Sequence, residues 1–125
     1  GELASRLLPE LSGGQRQKVY LAMALAQDTA AVLMDEPTTY LDVSCQLEVM
    51  ALARRLAEEG RAVVMVLHDL TLALRYAHRA VLLSGGRVCQ VGTPQQLYEG
   101  PNLEQVMGVC LGRVETPEGL RYFYK

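Results

Sequence analysis

Two adjacent acids, Asp35 and Glu36, follow a short apolar run and are the residues in this 125-residue chain best suited to catalysis. A carboxylate at the mouth of a buried strand is costly to leave unpaired, and Mg²⁺ with its water ligands is a natural partner for Asp35. Glu36 points elsewhere, so it is available to orient or deprotonate an attacking water, as phosphoryl transfer requires. The alternative is a polar exit from strand to turn, with no catalytic role.

A glycine-containing segment upstream, Ser12-Gly13-Gly14-Gln15, lies where a helix is predicted to begin. The unpaired N–H groups and the positive end of the helix dipole would favour a phosphate there, and the two glycines carry no side chain to hold it away. The alternative is an ordinary capping box, in which Ser12 and Gln15 satisfy only the backbone of their own helix. Taken alone, the segment favours the capping box.

His68 follows the second predicted strand, Val63–Leu67. In open α/β sheets ligands gather at the carboxyl ends of strands, which places His68 on the same rim as Glu36. The alternative is a histidine that caps a helix or is otherwise satisfied. Asp42 is expected to cap the helix between the two strands. His78 has no such context and is expected to be solvated.

The elements that position these residues are predicted from hydrophobic spacing and turn chemistry. Three predicted helices run from Ser12 to about Gln27, from Asp42 to a left-handed cap at Gly60, and from Asp69 to Ala77. Two short helices are predicted further on: one begins at the capping box Thr93–Gln96, and the other follows Gly100-Pro101. The predicted strands are Ala30–Met34 and Val63–Leu67, a hairpin around Gly85-Gly86, and two β-like runs at Val109–Val114 and Leu120–Tyr124. Ala30–Met34 is expected to be buried on both faces, as in a parallel sheet. The alternation predicts an α/β fold, a mostly parallel sheet covered by helices, with a small mixed α/β tail.

Composition narrows the class of protein but selects no function. Half of the residues are apolar and the formal charge is −2, with acids and bases interspersed, so neither nucleic acid nor an anionic membrane surface is an expected partner. No apolar run approaches the roughly 20 residues needed to cross a bilayer. The three cysteines lack metal-site or disulfide spacing, and the chain is expected to be cytosolic with reduced thiols.

Taken together and in order, these segments resemble the motifs of ATP-binding-cassette (ABC) ATPases. Leu11–Val19 resembles the signature motif, Val32–Pro37 resembles the Walker B strand with its catalytic glutamate, Thr38–Asp42 corresponds to the D-loop, and His68-Asp69 corresponds to the switch histidine and its neighbour. The resemblance runs from about Leu8 to the Tyr98 region.

The resemblance implies a role for each of these residues. Glu36 would be the catalytic base, Asp35 would hold Mg²⁺, and His68 would sense the γ-phosphate of ATP. The signature residues Ser12, Gly13, Gly14 and Gln15 would contact ATP bound to the opposite subunit of a head-to-tail dimer. Asp42 would act across the same dimer interface.

One expected part of the family's machinery is missing. The phosphate loop needs a Gly-Lys step, but the two lysines, Lys18 and Lys125, follow Gln17 and Tyr124. Residues 1–125 are therefore expected to be a partial ABC ATPase domain, the C-terminal half of a truncated ATPase with little activity alone.

The amino-acid sequences of the D-loop, of the segment after His68 and of Gly92-Thr93-Pro94 resemble those of the ATPase subunits of bacterial iron-siderophore, haem and cobalamin importers. The implied protein is the ATP-hydrolysing subunit of an importer, bound to a second copy and to membrane permease subunits at the inner face of the membrane. Two alternatives remain open: a non-enzymatic, self-associating fragment, and an ABC-type ATPase acting on another class of substrate.

Overall fold

A computed structural model describes residues 29–125, and the chain divides into two units, residues 1–67 and 68–125. The segment Ser12–Gln15 and the helix predicted up to Gln27 lie outside the described residues. Across the part of the chain that the structure describes, no helix is both long enough and apolar enough to cross a membrane.

The described part of the first unit is a strand–helix–strand segment. Strand β1 (Ala31–Asp35) is followed by helix α1 (Val43–Glu58) and strand β2 (Ala62–Val66). The two strands pair in parallel, with Asp35 opposite Val66 at the carboxyl end. Parallel neighbours need a crossover connection, and α1 supplies it.

Helix α1 packs on one face of this strand pair. Val49 and Leu56, each 1% exposed, form the centre of its apolar face, and Met34 and Val63 of the strands pack against them. The helix ends where the sequence predicts it to end, because Gly60 adopts a left-handed φ of 96° just beyond its last turn.

The prediction that β1 is buried on both faces is wrong for the described residues. Val32 is buried, but Leu33 is 79% exposed, and Val64 and Val66 of β2 are also exposed. The reason is that successive side chains of a strand face opposite sides, and α1 covers only one of them. An apolar run in the sequence does not indicate whether one or both faces of the strand are covered by other elements.

The second unit holds three helices and two strand pairs. They are α2 (Leu70–Tyr76), β3 (Ala80–Ser84), β4 (Arg87–Gly92), α3 (Pro94–Glu99), α4 (Leu103–Met107), β5 (Leu111–Thr116) and β6 (Gly119–Tyr124). Both strand pairs, β3 with β4 and β5 with β6, are antiparallel hairpins. The predicted mixed tail is therefore present, although β5 begins two residues after the predicted Val109.

Local turn chemistry accounts for how these elements join. Gly85 and Gly86 both have positive φ, 57° and 74°, as the predicted tight hairpin requires. The capping box predicted at the start of α3 is formed in both directions: the Gln96 N–H donates to Thr93 Oγ1 at 3.2 Å, and the Thr93 N–H donates to Gln96 Oε1 at 2.9 Å.

The core of the second unit draws on every helix and both hairpins. Its buried residues are Leu70, Leu74, Leu82, Leu97, Leu103, Leu111 and Tyr122. Helix α2, which follows His68, contributes Leu70 and Leu74 to this cluster. The core of the unit therefore holds the first turn of α2 in place.

Candidate functional site

The carboxyl end of β1 presents the two candidate catalytic acids in different backbone states. Asp35 is the last residue of the strand and its side chain is exposed. Glu36 is half-buried and has left-handed backbone geometry, with φ of 51°. Its N–H donates to the Val66 carbonyl at 2.9 Å, so the pairing between strands holds the residue in that conformation.

A left-handed φ is uncommon for a residue with a side chain, and costs of order 1–3 kcal/mol where the surrounding structure imposes it. Such residues cluster at active sites, so the outlier supports a functional role for Glu36. It also ends the extended backbone of β1 at Asp35.

A double turn carries the chain from Glu36 to Asp42. The Thr39 N–H donates to the Glu36 carbonyl at 3.3 Å, and the Leu41 N–H donates to the Thr38 carbonyl at 3.2 Å. Thr38 is buried, whereas Tyr40 is fully exposed and is the second left-handed residue, with φ of 65°. The segment that corresponds to the D-loop is therefore an ordered turn with one exposed aromatic ring.

Asp42 caps α1, as predicted. Its Oδ1 accepts from the Cys45 N–H at 2.8 Å, and this hydrogen bond lowers the pKa of Asp42 from its usual value. The cap fixes the point at which the double turn becomes helix. A further role of Asp42 across a dimer interface stays a prediction.

Gln46 also holds the double turn and was missed by the sequence analysis. Its side-chain amide Nε2 donates to the Leu41 carbonyl at 3.2 Å and to the Thr38 carbonyl at 3.4 Å. The single amide thus links both halves of the turn to the first turn of α1. A glutamine near a helix start is common, so no spacing in the sequence singles it out.

The donors fit a magnesium ion that also binds a phosphate. Mg²⁺ usually takes one or two protein carboxylates, keeps several waters and completes its shell with substrate phosphates. Asp35 offers one exposed carboxylate of this kind. Over residues 29–125 there is no group of three or more His, Cys, Asp or Glu side chains able to hold a metal ion by themselves.

His68 opens the second unit and is exposed, directly before the cap of α2. Asp69 is that cap: its Oδ1 accepts from the Thr71 N–H at 2.9 Å and from the Thr71 hydroxyl at 2.7 Å. Helix α2 therefore begins at Leu70, one residue later than predicted. His78 is exposed just after the helix, as expected.

Tyr124 is a second residue that the sequence analysis missed. Its hydroxyl accepts from the Leu70 N–H at 2.9 Å and donates to Asp69 Oδ1 at 3.1 Å. Burial raises the pKa of Tyr124. The contact joins residues more than 50 positions apart, so no local pattern could have revealed it.

The structure thus brings Asp35, Glu36 and Asp42 into one connected segment of the first unit, and it describes His68 within the second unit. The predicted signature residues Ser12–Gln15 lie outside the described residues.

Comparison with protein families gives a direct match at the start of the chain. The family model described as "ABC transporter" matches residues 1–39, a range that includes the predicted signature segment and both acids.

Full-length relatives match over nearly the whole chain. The iron(3+)-hydroxamate import ATP-binding protein FhuC of Bacillus subtilis is 48% identical over 93% of this chain and 44% of its own length. The hemin import ATP-binding protein HmuV of Rhodococcus jostii is 48% identical over 91% of this chain and 39% of its own length. The ferric enterobactin transport ATP-binding protein FepC of Escherichia coli is 40% identical over 92% of this chain and 43% of its own length. The chain therefore spans less than half the length of these relatives.

Two solved structures share the fold. A putative metal-chelate type ABC transporter in an inward-facing conformation superposes with a TM-score of 0.85 at 26% identity, over 99% of this chain and 51% of that one. A dimeric post-hydrolysis ATP-binding cassette bound to ADP and Pi superposes with a TM-score of 0.60 at 37% identity, over 69% of this chain and 37% of that one. The predicted α/β class and its ABC ATPase architecture are thereby confirmed.

The family model covers the predicted signature segment and both acids, and the likeness to the relatives and to the solved structures extends over the rest of the chain. The chain matches the ABC transporter family over residues 1–39 and resembles the ATP-binding subunits of bacterial iron-siderophore and haem importers over nearly all of its length.

Proposed function

We propose that this chain acts as part of an ATP-binding and ATP-hydrolysing subunit that powers import of an iron chelate or haem. The observation that carries the proposal is the pair of acids at the end of β1, with Glu36 held in left-handed geometry directly after Asp35. The relatives named above favour iron-siderophores and haem over cobalamin as the solute.

The two acids would have separate tasks. Asp35 would hold Mg²⁺, which neutralises charge on the phosphates when it is bound. Glu36 would accept a proton from the attacking water. The backbone turn between them supports this division, because one carboxylate can face the metal while the other faces the water.

His68 would hold the attacking water and sense the γ-phosphate. Ser12, Gly13, Gly14 and Gln15 would contact the nucleotide of the opposite subunit, and Asp42 would act at that interface. The partners would be a second ATPase subunit in head-to-tail arrangement and two membrane permease subunits, which would locate the protein at the cytoplasmic face of the membrane.

The test compares Glu36→Gln with the unchanged residue in the full-length subunit that carries this sequence. We expect ATP turnover to be lost while Mg-ATP still binds, since glutamine keeps the size of the side chain but cannot accept the proton. Turnover and binding are measured by phosphate release and by calorimetry. Undiminished turnover in Glu36→Gln would remove Glu36 from the role of base.

A second function, self-association of the 125-residue chain, is favoured by the exposed apolar face of β1 and β2. Leu33 is 79% exposed, and Val64 and Val66 are 54% and 45% exposed on the neighbouring strand. Apolar side chains grouped in this way favour association with another copy. We expect a dimer or larger assembly by light scattering, reduced by Leu33→Ser; a strictly monomeric mass at high concentration would contradict it.

Calorimetry of the 125-residue chain with Mg-ATP separates the two functions. Specific binding that Asp35→Ala removes would mean that copies of the chain build a usable nucleotide site. No binding would mean that hydrolysis needs the longer protein.

A further inference from the structure

The hydroxyl of Tyr124 bridges two groups at the start of the segment that follows His68. It accepts a hydrogen bond from the Leu70 N–H at 2.9 Å and donates one to Asp69 Oδ1 at 3.1 Å. A phenol has one proton to donate and lone pairs to accept with, so both contacts can form at once.

The bridge supplies what the local cap leaves unsatisfied. The first N–H groups of a helix have no partner within the helix, and Asp69 reaches the N–H of Thr71 but not that of Leu70. Tyr124 takes the Leu70 N–H. It also adds a third hydrogen bond to Asp69 Oδ1, beside the two from Thr71.

Helix α2 depends on such support because it has only seven residues. Helices this short are not stable by themselves in water, so tertiary contacts must hold the first turn. The backbone of Asp69 is extended, with φ of −79° and ψ of 108°, and leads directly back to His68. Fixing Asp69 and Leu70 therefore fixes the path along which the chain leaves His68.

The position of Tyr124 is set by the β5–β6 hairpin. Tyr124 pairs with Leu111 at the open end of the hairpin, and the Lys125 N–H donates to the Cys110 carbonyl at 3.0 Å. Burial raises the pKa of Tyr124, so the hydroxyl keeps its proton and remains a donor near neutral pH.

We propose that Tyr124 is a positioning residue for His68: by bridging Asp69 and Leu70, Tyr124 of β6 holds the backbone next to His68 in the arrangement that hydrolysis requires. The proposal rests on the proposed function of His68. It gives the final hairpin a part in the ATPase reaction, with Tyr124 acting through Asp69 and Leu70.

The first test uses Tyr124→Phe in the 125-residue chain, because this substitution removes only the hydroxyl. We expect the Leu70 amide to exchange with deuterium about fivefold faster, the effect of losing one ordinary hydrogen bond. The matched control is Tyr98→Phe, since the Tyr98 hydroxyl has no hydrogen-bond partner among residues 29–125. Unchanged exchange at Leu70 would overturn the bridge.

The second test measures ATP turnover in the full-length subunit. We expect Tyr124→Phe to lower kcat at least threefold with KM for ATP unchanged, and Tyr98→Phe to lower neither. A role confined to stability would leave kcat of the folded variant intact, so kcat within the range of the Tyr98→Phe control would overturn the proposal. Asp69→Ala provides a second route if Tyr124→Phe folds poorly, because it removes the acceptor of the Tyr124 hydroxyl; it should lower kcat at least as much as Tyr124→Phe.

His68→Ala separates failure of this proposal from failure of the proposed function. If His68→Ala abolishes turnover and Tyr124→Phe does not alter it, only the role of Tyr124 is refuted. If His68→Ala retains full turnover, the assigned function of His68 is refuted and the positioning role with it. Faster Leu70 exchange would then still show that the bridge forms.

Discussion

The left-handed backbone of Glu36 predicts an unusual order of stability among variants at this position. With φ of 51°, a residue that has a Cβ atom is strained by about 1–2 kcal/mol relative to glycine. Glycine loses more conformational freedom on folding, which offsets about 0.5–1 kcal/mol of that advantage. Glu36→Gly should therefore be more stable than Glu36→Ala by about 0.5–1 kcal/mol, the reverse of the usual order in regular structure.

The comparison of Gly with Ala isolates the backbone, because both variants lack the contacts of the glutamate side chain. The free energy of unfolding is measured by urea titration of the 125-residue chain, with Glu36→Asn as a control expected between the two, since asparagine tolerates the left-handed region. All three variants should lose ATP turnover in the full-length subunit. If Glu36→Ala is as stable as Glu36→Gly or more so, strain at Glu36 is refuted.

Two further predictions concern the residues that hold the double turn. Gln46→Met keeps the length of the side chain but removes both hydrogen bonds to the turn, and should lower the free energy of unfolding by about 1 kcal/mol in a urea titration; equal stability would show that these bonds contribute nothing. The hydrogen bond from the Cys45 N–H lowers the pKa of Asp42 in the folded chain. The stabilisation from this hydrogen bond is therefore fully present above the pKa that Asp42 has in the unfolded chain, and it is lost as pH falls through the pKa that Asp42 has in the folded chain. Asp42→Asn retains a good cap without a titrating group, and its urea midpoint should fall less steeply below about pH 4 than that of the unchanged chain; parallel curves would contradict this.

Much of the local structure could be predicted from short segments of sequence. The Thr93–Gln96 capping box, the Gly85-Gly86 hairpin and the cap at Gly60 each depend on residues a few positions apart. The same holds for Asp42 at the start of α1. These signals act through nearby backbone groups, so the residues that produce them stand together in the sequence.

The face of a strand that is covered could not be predicted in this way. The apolar run of β1 was expected to be buried on both sides, yet Leu33 is exposed while Val32 is buried. Burial depends on which elements pack on each face, and the residue types of the strand do not indicate which face another element covers. Gln46 was missed for a different reason: its contacts are local, but a glutamine near a helix start is too common to be singled out by spacing.

The sequence by itself determined the resemblance to ABC ATPases and the order of the candidate acids and histidine. It also determined the caps and turns that end the elements between them, because each of these depends on residue type and close spacing. Only the tertiary structure decided the left-handed geometry of Glu36, which the pairing of β1 with β2 holds in place. It also decided the bridge from Tyr124 to Asp69 and Leu70, since a hydrogen bond between residues more than 50 positions apart exists only once the final hairpin has packed beside α2.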